Sequence, residues 1–195
     1  TEFVSGETLS QRIIRDSDIS VYEIKTIAKA VLSALAFLHS RPVPIIHNEV
    51  TIQIVFLNLV GELGDLKLID FGYARFLNQK PSKPNLDELN PFYLAPERFS
   101  GVCSVQSDLY AVGAMIYHLL YGELPWFIDT SRTNGQDLVE SILAERDKEL
   151  KLTKKDKYEL DDQLLNVIAK ALNYDAENRF QSADEFIKAI DGEVK

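Results

Sequence analysis

Sulfur is scarce in this sequence: 195 residues hold one cysteine and one methionine. With Cys103 alone, no internal disulfide can form, and the chain is expected to work in a reducing compartment, the cytoplasm. No histidine neighbours Cys103 in sequence to activate a thiolate, so it reads as a packing residue. Positive charge is also in deficit, with 21 Lys and Arg against 30 Asp and Glu and a net charge of -9. That excludes nucleic acid or an anionic membrane surface as the main partner, because binding phosphates needs clustered cations. The one basic cluster, Lys151, Lys154, Lys155 and Lys157, is interleaved with acidic residues and reads as a solvated face. Long apolar runs are missing as well. The longest, Ala111 to Tyr121, contains His118 and falls short of the roughly 20 residues a membrane span needs. Glu2, Glu7 and Arg12 interrupt the N-terminus, so no signal peptide is expected. Internal repeats and low-complexity segments are lacking. The chain opens on Thr1 rather than Met and is expected to be a processed product or a piece of a longer protein.

What is present is enough apolar material for one core. Hydrophobic residues make up 46% of the chain, which at this length is most simply a single domain. Val21 to Ser40 is the clearest helix: Ile24, Ile27, Val31, Leu35 and Leu38 recur at three- and four-residue spacing, and Pro42 and Pro44 follow. Ser107 to Tyr121 is apolar nearly all round and predicts a buried helix, with Asp108 able to accept backbone N–H bonds in its first turn. Gly122 and Pro125 end it, and Trp126 with Phe127 reads either as packing at its end or as a peptide-docking surface. Gln136 to Glu145 and Asp161 to Leu172 predict two more helices. Ser182 caps a last one, with Glu185 completing a capping box. His39 and His118 have no partner constellation and read as packing or surface residues.

The most informative stretch runs from Ile45 to Arg75. Two apolar runs, Ile52 to Val60 and Leu66 to Ile69, are separated by Gly61, Gly64 and Asp65, which predicts a β-hairpin. Asp70, Phe71 and Gly72 follow directly. Asn78 to Asn90 is polar, carries Pro81 and Pro84, and reads as a mobile loop that closes at Ala95, Pro96 and Glu97.

Taken in order, these motifs resemble the protein kinase family, whose signatures are H-R-D-L-x-x-x-N, D-F-G and A-P-E. The junction Asp175 to Ala183 is similar to the closing motif of bacterial-type serine/threonine kinases. The sequence keeps His47, D-F-G and A-P-E, but carries Asn48, Glu49, Thr51 and Ile54 where the family has Arg, Asp, Lys and Asn. The resemblance implies a fold that is mainly α with a short β-hairpin, a kinase-like C-terminal (large) lobe over 1–195 with the N-terminal lobe absent. Residues 1–9 would be hinge-like, with Glu2 and Val4 offering backbone groups to an adenine, although without the resemblance an ordinary strand end is the preferred reading. Residues 45–72 would be degenerate catalytic and D-F-G loops, and 70–97 an activation-like segment. Glu49 stands at the catalytic position. Asn58 lies too far along the strand to replace the missing asparagine. Asp70 has two readings, the one well-formed metal ligand or the cap of its own turn. His47, Phe71, Gly72, Glu97, Asp108 and Arg179 would be structural: Phe71 packing in the core, Asp108 steadying the catalytic loop with Gly113 at a small position, Arg179 pairing with Glu97. Ser82 is the only serine or threonine between Asp70 and Asn90, and Asn48 removes the arginine that would pair with a loop phosphate, so phosphorylation has little to act on.

Three functions follow as expectations. The first is a non-catalytic, pseudokinase-type module with a protein partner or a neighbouring domain, and no cofactor for the isolated chain. The second is a slow kinase using ATP and Mg²⁺ when the full-length protein supplies a small lobe. The third is a docking face, apolar around Val4, Phe56 and Leu68, left open by the absent lobe.

Overall fold

The computed structural model describes residues 6–57, 66–126, 128, 135–148, 150, 152, 160 and 162–193. Glu2, Val4, Asn58, Phe127, Asp161 and the four lysines between 151 and 157 lie outside the described residues.

Strand β1 (Glu7–Thr8) leads into helix α1 (Leu9–Arg15) through Thr8, whose hydroxyl accepts from Gln11 N while Gln11 reaches back to Thr8 N. Gly6 precedes it at φ +151°, where a Cβ would lie 2.1 Å from Leu57 O, so only glycine lets the strand approach its neighbour. Helix α2 (Val21–His39) starts on the same capping device, Ser20 with Glu23. Its buried face is Ile24, Ile27, Ala28, Val31, Leu32 and Leu35, the stripe the spacing predicts.

The antiparallel pairing expected of the hairpin is present and joined by a third strand, while the expected turn at Gly61, Gly64 and Asp65 lies outside the described residues. β3 (Val55–Leu57) pairs antiparallel with β4 (Leu66–Leu68) in the register Val55↔Leu68, and β1 adds to the outer edge of β3. A second ribbon pairs β2 (Ile45–Ile46) with β5 (Arg75–Phe76). The two ribbons hold the ends of the 45–75 stretch, so the polar residues between them are presented from fixed strands.

Helix α3 (Val105–Tyr121) runs through the centre, with fourteen residues buried between α2 and α5. Ser104 caps it by accepting from Ser107 N, which leaves Asp108 free of the capping role the sequence offered it. Gly113 lets α3 and α5 (Asp162–Ala171) touch: a Cβ there would stand 2.7 Å from Ala171 Cβ. Helix α6 (Ala183–Asp191) closes the bundle against α2. Its Ser182 cap forms, but Glu185 does not complete a box. Its carboxylate accepts from Gln181 N, one residue further out, and from Lys170 Nζ.

Helix α4 (Gly135–Arg146) sits apart from this core. Leu89, Leu94, Phe99 and Ile142 form a second cluster, with Tyr73, Leu86, Phe92 and Leu143 packed around it. Much of segment 70–97 is thereby docked on α4 and on the short 3-10 turn Pro96–Ser100. Among the described residues no helix is long and apolar enough to cross a membrane.

Candidate functional site

The chain leaves β2 at Ile46 and turns sharply through His47 and Asn48. Asp108 makes this turn. Its Oδ2 accepts from His47 N at 2.8 Å and from His39 Nε2 at 2.9 Å, and its Oδ1 accepts from Asn48 N at 2.8 Å. A buried carboxylate is stable only when its lone pairs are used, and here three donors use them. His39 therefore has a partner, contrary to the sequence reading. His47 is fully buried, and burial pushes its pKa down although Asp108 and Asp70 oppose it. Its ring lies 4.8 Å from that of Phe71.

Asn48 holds a left-handed backbone, φ +65°, which asparagine tolerates better than most residues. Its Nδ2 donates to Ile46 O and to Tyr73 O. Glu49 follows, half-buried, with Oε2 buried and without a hydrogen-bond partner. Burial first, and the negative charge of Asp70 second, push its pKa up. Thr51 is buried, and its Oγ1 accepts from Gln53 N in a local turn. Ile54 is buried in the main core, its backbone oxygen accepting from Ile69 N. It faces packing, not the polar turn.

Asp70 leaves β4 exposed and at φ +62°. Its Oδ1 accepts from Gly72 N at 3.1 Å, so the carboxylate shapes the turn it begins. The left-handed residue is Asp70 and not the glycine beside it. Phe71 corrects an expectation: it is 49% exposed, not packed in the core, with the His47 ring beside it. Phe56 and Leu68, expected on an open apolar face, are half-buried.

Glu97 and Arg179 meet as the sequence resemblance implies. Arg179 Nη1 and Nη2 donate to the two oxygens of Glu97 at 2.8 and 2.9 Å, and Ser107 Oγ adds a third donor. Arg179 also donates to Asn173 O, Tyr174 O and Gln106 O, and its guanidinium lies 4.8 Å from the Tyr110 ring centre. Burial raises the Glu97 pKa, but the bonds and charge of Arg179 more than offset it, leaving the carboxyl below its usual range.

Sequence reasoning missed three features. Arg146, at the end of an amphipathic helix, is buried, donates to Leu94 O and Pro91 O, and lies over Phe99, Tyr110 and Trp126. Only the three-dimensional neighbours reveal that role. His118 Nδ1 is 2.6 Å from Tyr93 Oη, so it too has a partner. Cys103 Sγ accepts from the buried Arg98. Trp126 stacks on Tyr110 with rings 6.2 Å apart and 2° from parallel, and also lines a shallow groove with Phe92, Tyr117 and Leu124. A cleft of about 680 Å³ lies elsewhere, between Lys83, Phe99, Leu143 and Tyr174, and neither Glu49 nor Asp70 lines it.

The donor set can be tested for a metal ion. Among the described residues no three His, Cys, Asp or Glu side chains converge on one point. Asp70 and Glu49 offer carboxylate oxygens, and Ile54 offers none. The site fits one hard cation at most, with its remaining ligands coming from water or a bound phosphate.

Comparison with known proteins points to one family. A family model described as "Protein kinase domain" matches residues 1–189. The chain is 32% identical over 199 residues to "Probable serine/threonine-protein kinase PknB" of Lactococcus lactis subsp. lactis, covering 97% of this chain and 28% of that protein. It is 26% identical over 186 residues to "Serine/threonine-protein kinase PrkC" of Bacillus subtilis, covering 94% and 27%. For "Serine/threonine-protein kinase PknD" of Protochlamydia amoebophila the values are 25% over 221 residues, 97% and 21%. The chain thus spans between a fifth and a third of the length of these relatives.

Proposed function

The chain belongs to the protein kinase family, beside its bacterial-type serine/threonine members, and we propose that it is the large lobe of such a domain, acting as a non-catalytic, pseudokinase-type module. The observation that carries this reading is Ile54, an alkyl group turned into the core at the position where the family holds its second metal ion. Thr51 supports it. Its hydroxyl is tied to Gln53 N, so no cation stands there to offset the charge of a transferred phosphoryl group. Glu49 keeps the negative charge of the catalytic position on a side chain one methylene longer, and misplacement of about 1 Å can cost about a hundredfold in rate.

In this reading residues 1–9 are hinge-like, 45–72 are the degenerate loops and 70–97 is the activation-like segment. A protein partner or another domain of the same protein is what the module engages, in the cytoplasm, with no nucleic acid or membrane as main partner. The exposed Phe71 supports such an engagement, since an aromatic ring half in water gains from being covered.

A second reading keeps catalysis. Asp70 is exposed, and Glu49 Oε2 has no donor, so both carboxylates remain available to a cation in a full-length protein that supplies a small lobe. Asp70 would then hold Mg²⁺, Glu49 would orient the substrate hydroxyl, and Glu2 and Val4 would face the adenine of ATP. One experiment separates the two: incubate the full-length protein with radiolabelled ATP and Mg²⁺, beside its Asp70→Asn variant. The module reading expects no label above background in either. Label that appears in the wild type and disappears with Asp70→Asn establishes the second reading instead.

A further inference from the structure

Asn48 stands where the kinase resemblance would have an arginine to pair with a loop phosphate, yet segment 70–97 is held at several points. We propose that Asn48, Tyr73 and Glu88 form a clasp that keeps this segment docked without phosphorylation. This goes beyond the question of catalysis and stands under either functional reading.

The clasp begins inside the molecule. Asp108 on α3 fixes the backbone of Asn48, at 2.8 Å. Asn48 is buried and spends both hydrogens of its amide on carbonyls, Ile46 O at 3.3 Å and Tyr73 O at 3.1 Å. The side chain thus ties the turn after β2 to the residue following D-F-G, 25 positions along the chain. Tyr73 continues outward: its ring packs in the second apolar cluster, and its Oη donates to Glu88 Oε2. Glu88 stands beside Leu89, which is buried in that same cluster, and both amides bond to Asn85 O. Two ties secure the flanks. Ser82 N donates to Gly101 O at 3.1 Å, and Arg146 donates to Pro91 O and Leu94 O.

Each tie, from the Asn48 amide, the Tyr73–Glu88 pair, the Ser82 amide or the Arg146 guanidinium, is made with the chain's own atoms. The short amide of Asn48 reaches both carbonyls at once. The docked state therefore depends on packing and on hydrogen bonds that are present from the moment of folding.

Amide hydrogen exchange on the full chain tests this. Tyr73→Phe removes the Oη donor and keeps the ring in the cluster. Asn48→Gly removes the side-chain amide and keeps both the left-handed backbone and the bond to Asp108. Each variant is expected to speed exchange at the Glu88 and Leu89 amides about tenfold while α3 keeps its wild-type protection, and phosphatase treatment of the wild type is expected to change nothing. Unchanged exchange at Glu88 and Leu89 in either variant, equal loosening of α3, or loosening by phosphatase would each overturn the clasp.

Discussion

At Glu49 the carboxylate oxygen Oε2 is buried without a donor, and burial followed by the charge of Asp70 raises its pKa. A group whose folded pKa lies above its unfolded value favours folding only while protonated, so the ionised Glu49 opposes folding at neutral and alkaline pH. The glutamine variant removes the charge and adds a donor. We expect Glu49→Gln to melt higher than wild type at about pH 8, with the gap closing towards pH 4 as the wild-type carboxyl protonates. A lower melting temperature at pH 8 would assign Glu49 a stabilising contact that the structure does not contain. Glu97 has the opposite sign: its pKa is held down against burial by Arg179, so its contribution is present above the usual carboxylate range and is lost as pH falls through its folded value. His47, lowered by burial, adds to the acid sensitivity, because unfolding lets it take up a proton below its ordinary pKa. The partnership of Glu97 with Arg179 was legible in the sequence because each sits in a motif. The partners of Asn48, His39 and His118 were not, since they come from segments 25 to 69 positions away with no shared pattern.

Helices α3 and α5 meet where Gly113 leaves room, and the closeness of that approach fixes the sign of a substitution. On an exposed helix, alanine in place of glycine stabilises by roughly 1 kcal/mol. Here the added Cβ would stand 2.7 Å from Ala171 Cβ, and overpacking costs typically 1–3 kcal/mol. We therefore expect Gly113→Ala to destabilise by about 1–2 kcal/mol in urea unfolding, and Ala171→Gly in the same chain to recover part of the loss by removing the facing methyl. A stabilised Gly113→Ala would show that the helices can separate at no cost. The helices were the legible elements, because α2 repeats its apolar positions over nineteen residues and α3 is apolar on every face. β2 and β5 were not. Each is two residues long, too short for an alternating pattern to register. Glu185 shows the same limit at a helix end: the spacing to Ser182 fits a capping box, but the carboxylate is drawn to Gln181 N and Lys170 instead.

At the scale of the molecule, two apolar clusters among the described residues divide the work. The main one joins α2, α3, α5 and α6, and the smaller one docks segment 70–97 on α4. The polar turns of the candidate site are stretched between them, anchored at one end by Asp108 and at the other by the Glu97–Arg179 pair. Both anchors are formed among the described residues, while the Thr51 hydroxyl is bonded to Gln53 N and the Ile54 side chain lies in the main core. Phe71 was misread from sequence for a reason at this scale, since its burial depends on what covers the D-F-G turn and not on its neighbours in the chain. The central proposal is that this kinase-like frame works as a non-catalytic module, with no cofactor for the isolated chain. Thermal unfolding of the chain with and without millimolar ATP and Mg²⁺ tests it most directly. A ligand that binds the folded state raises the midpoint by mass action, adding about 2.7 kcal/mol at a hundredfold excess over its dissociation constant. The account predicts the same midpoint with and without nucleotide; a rise that needs both ATP and the metal would contradict it.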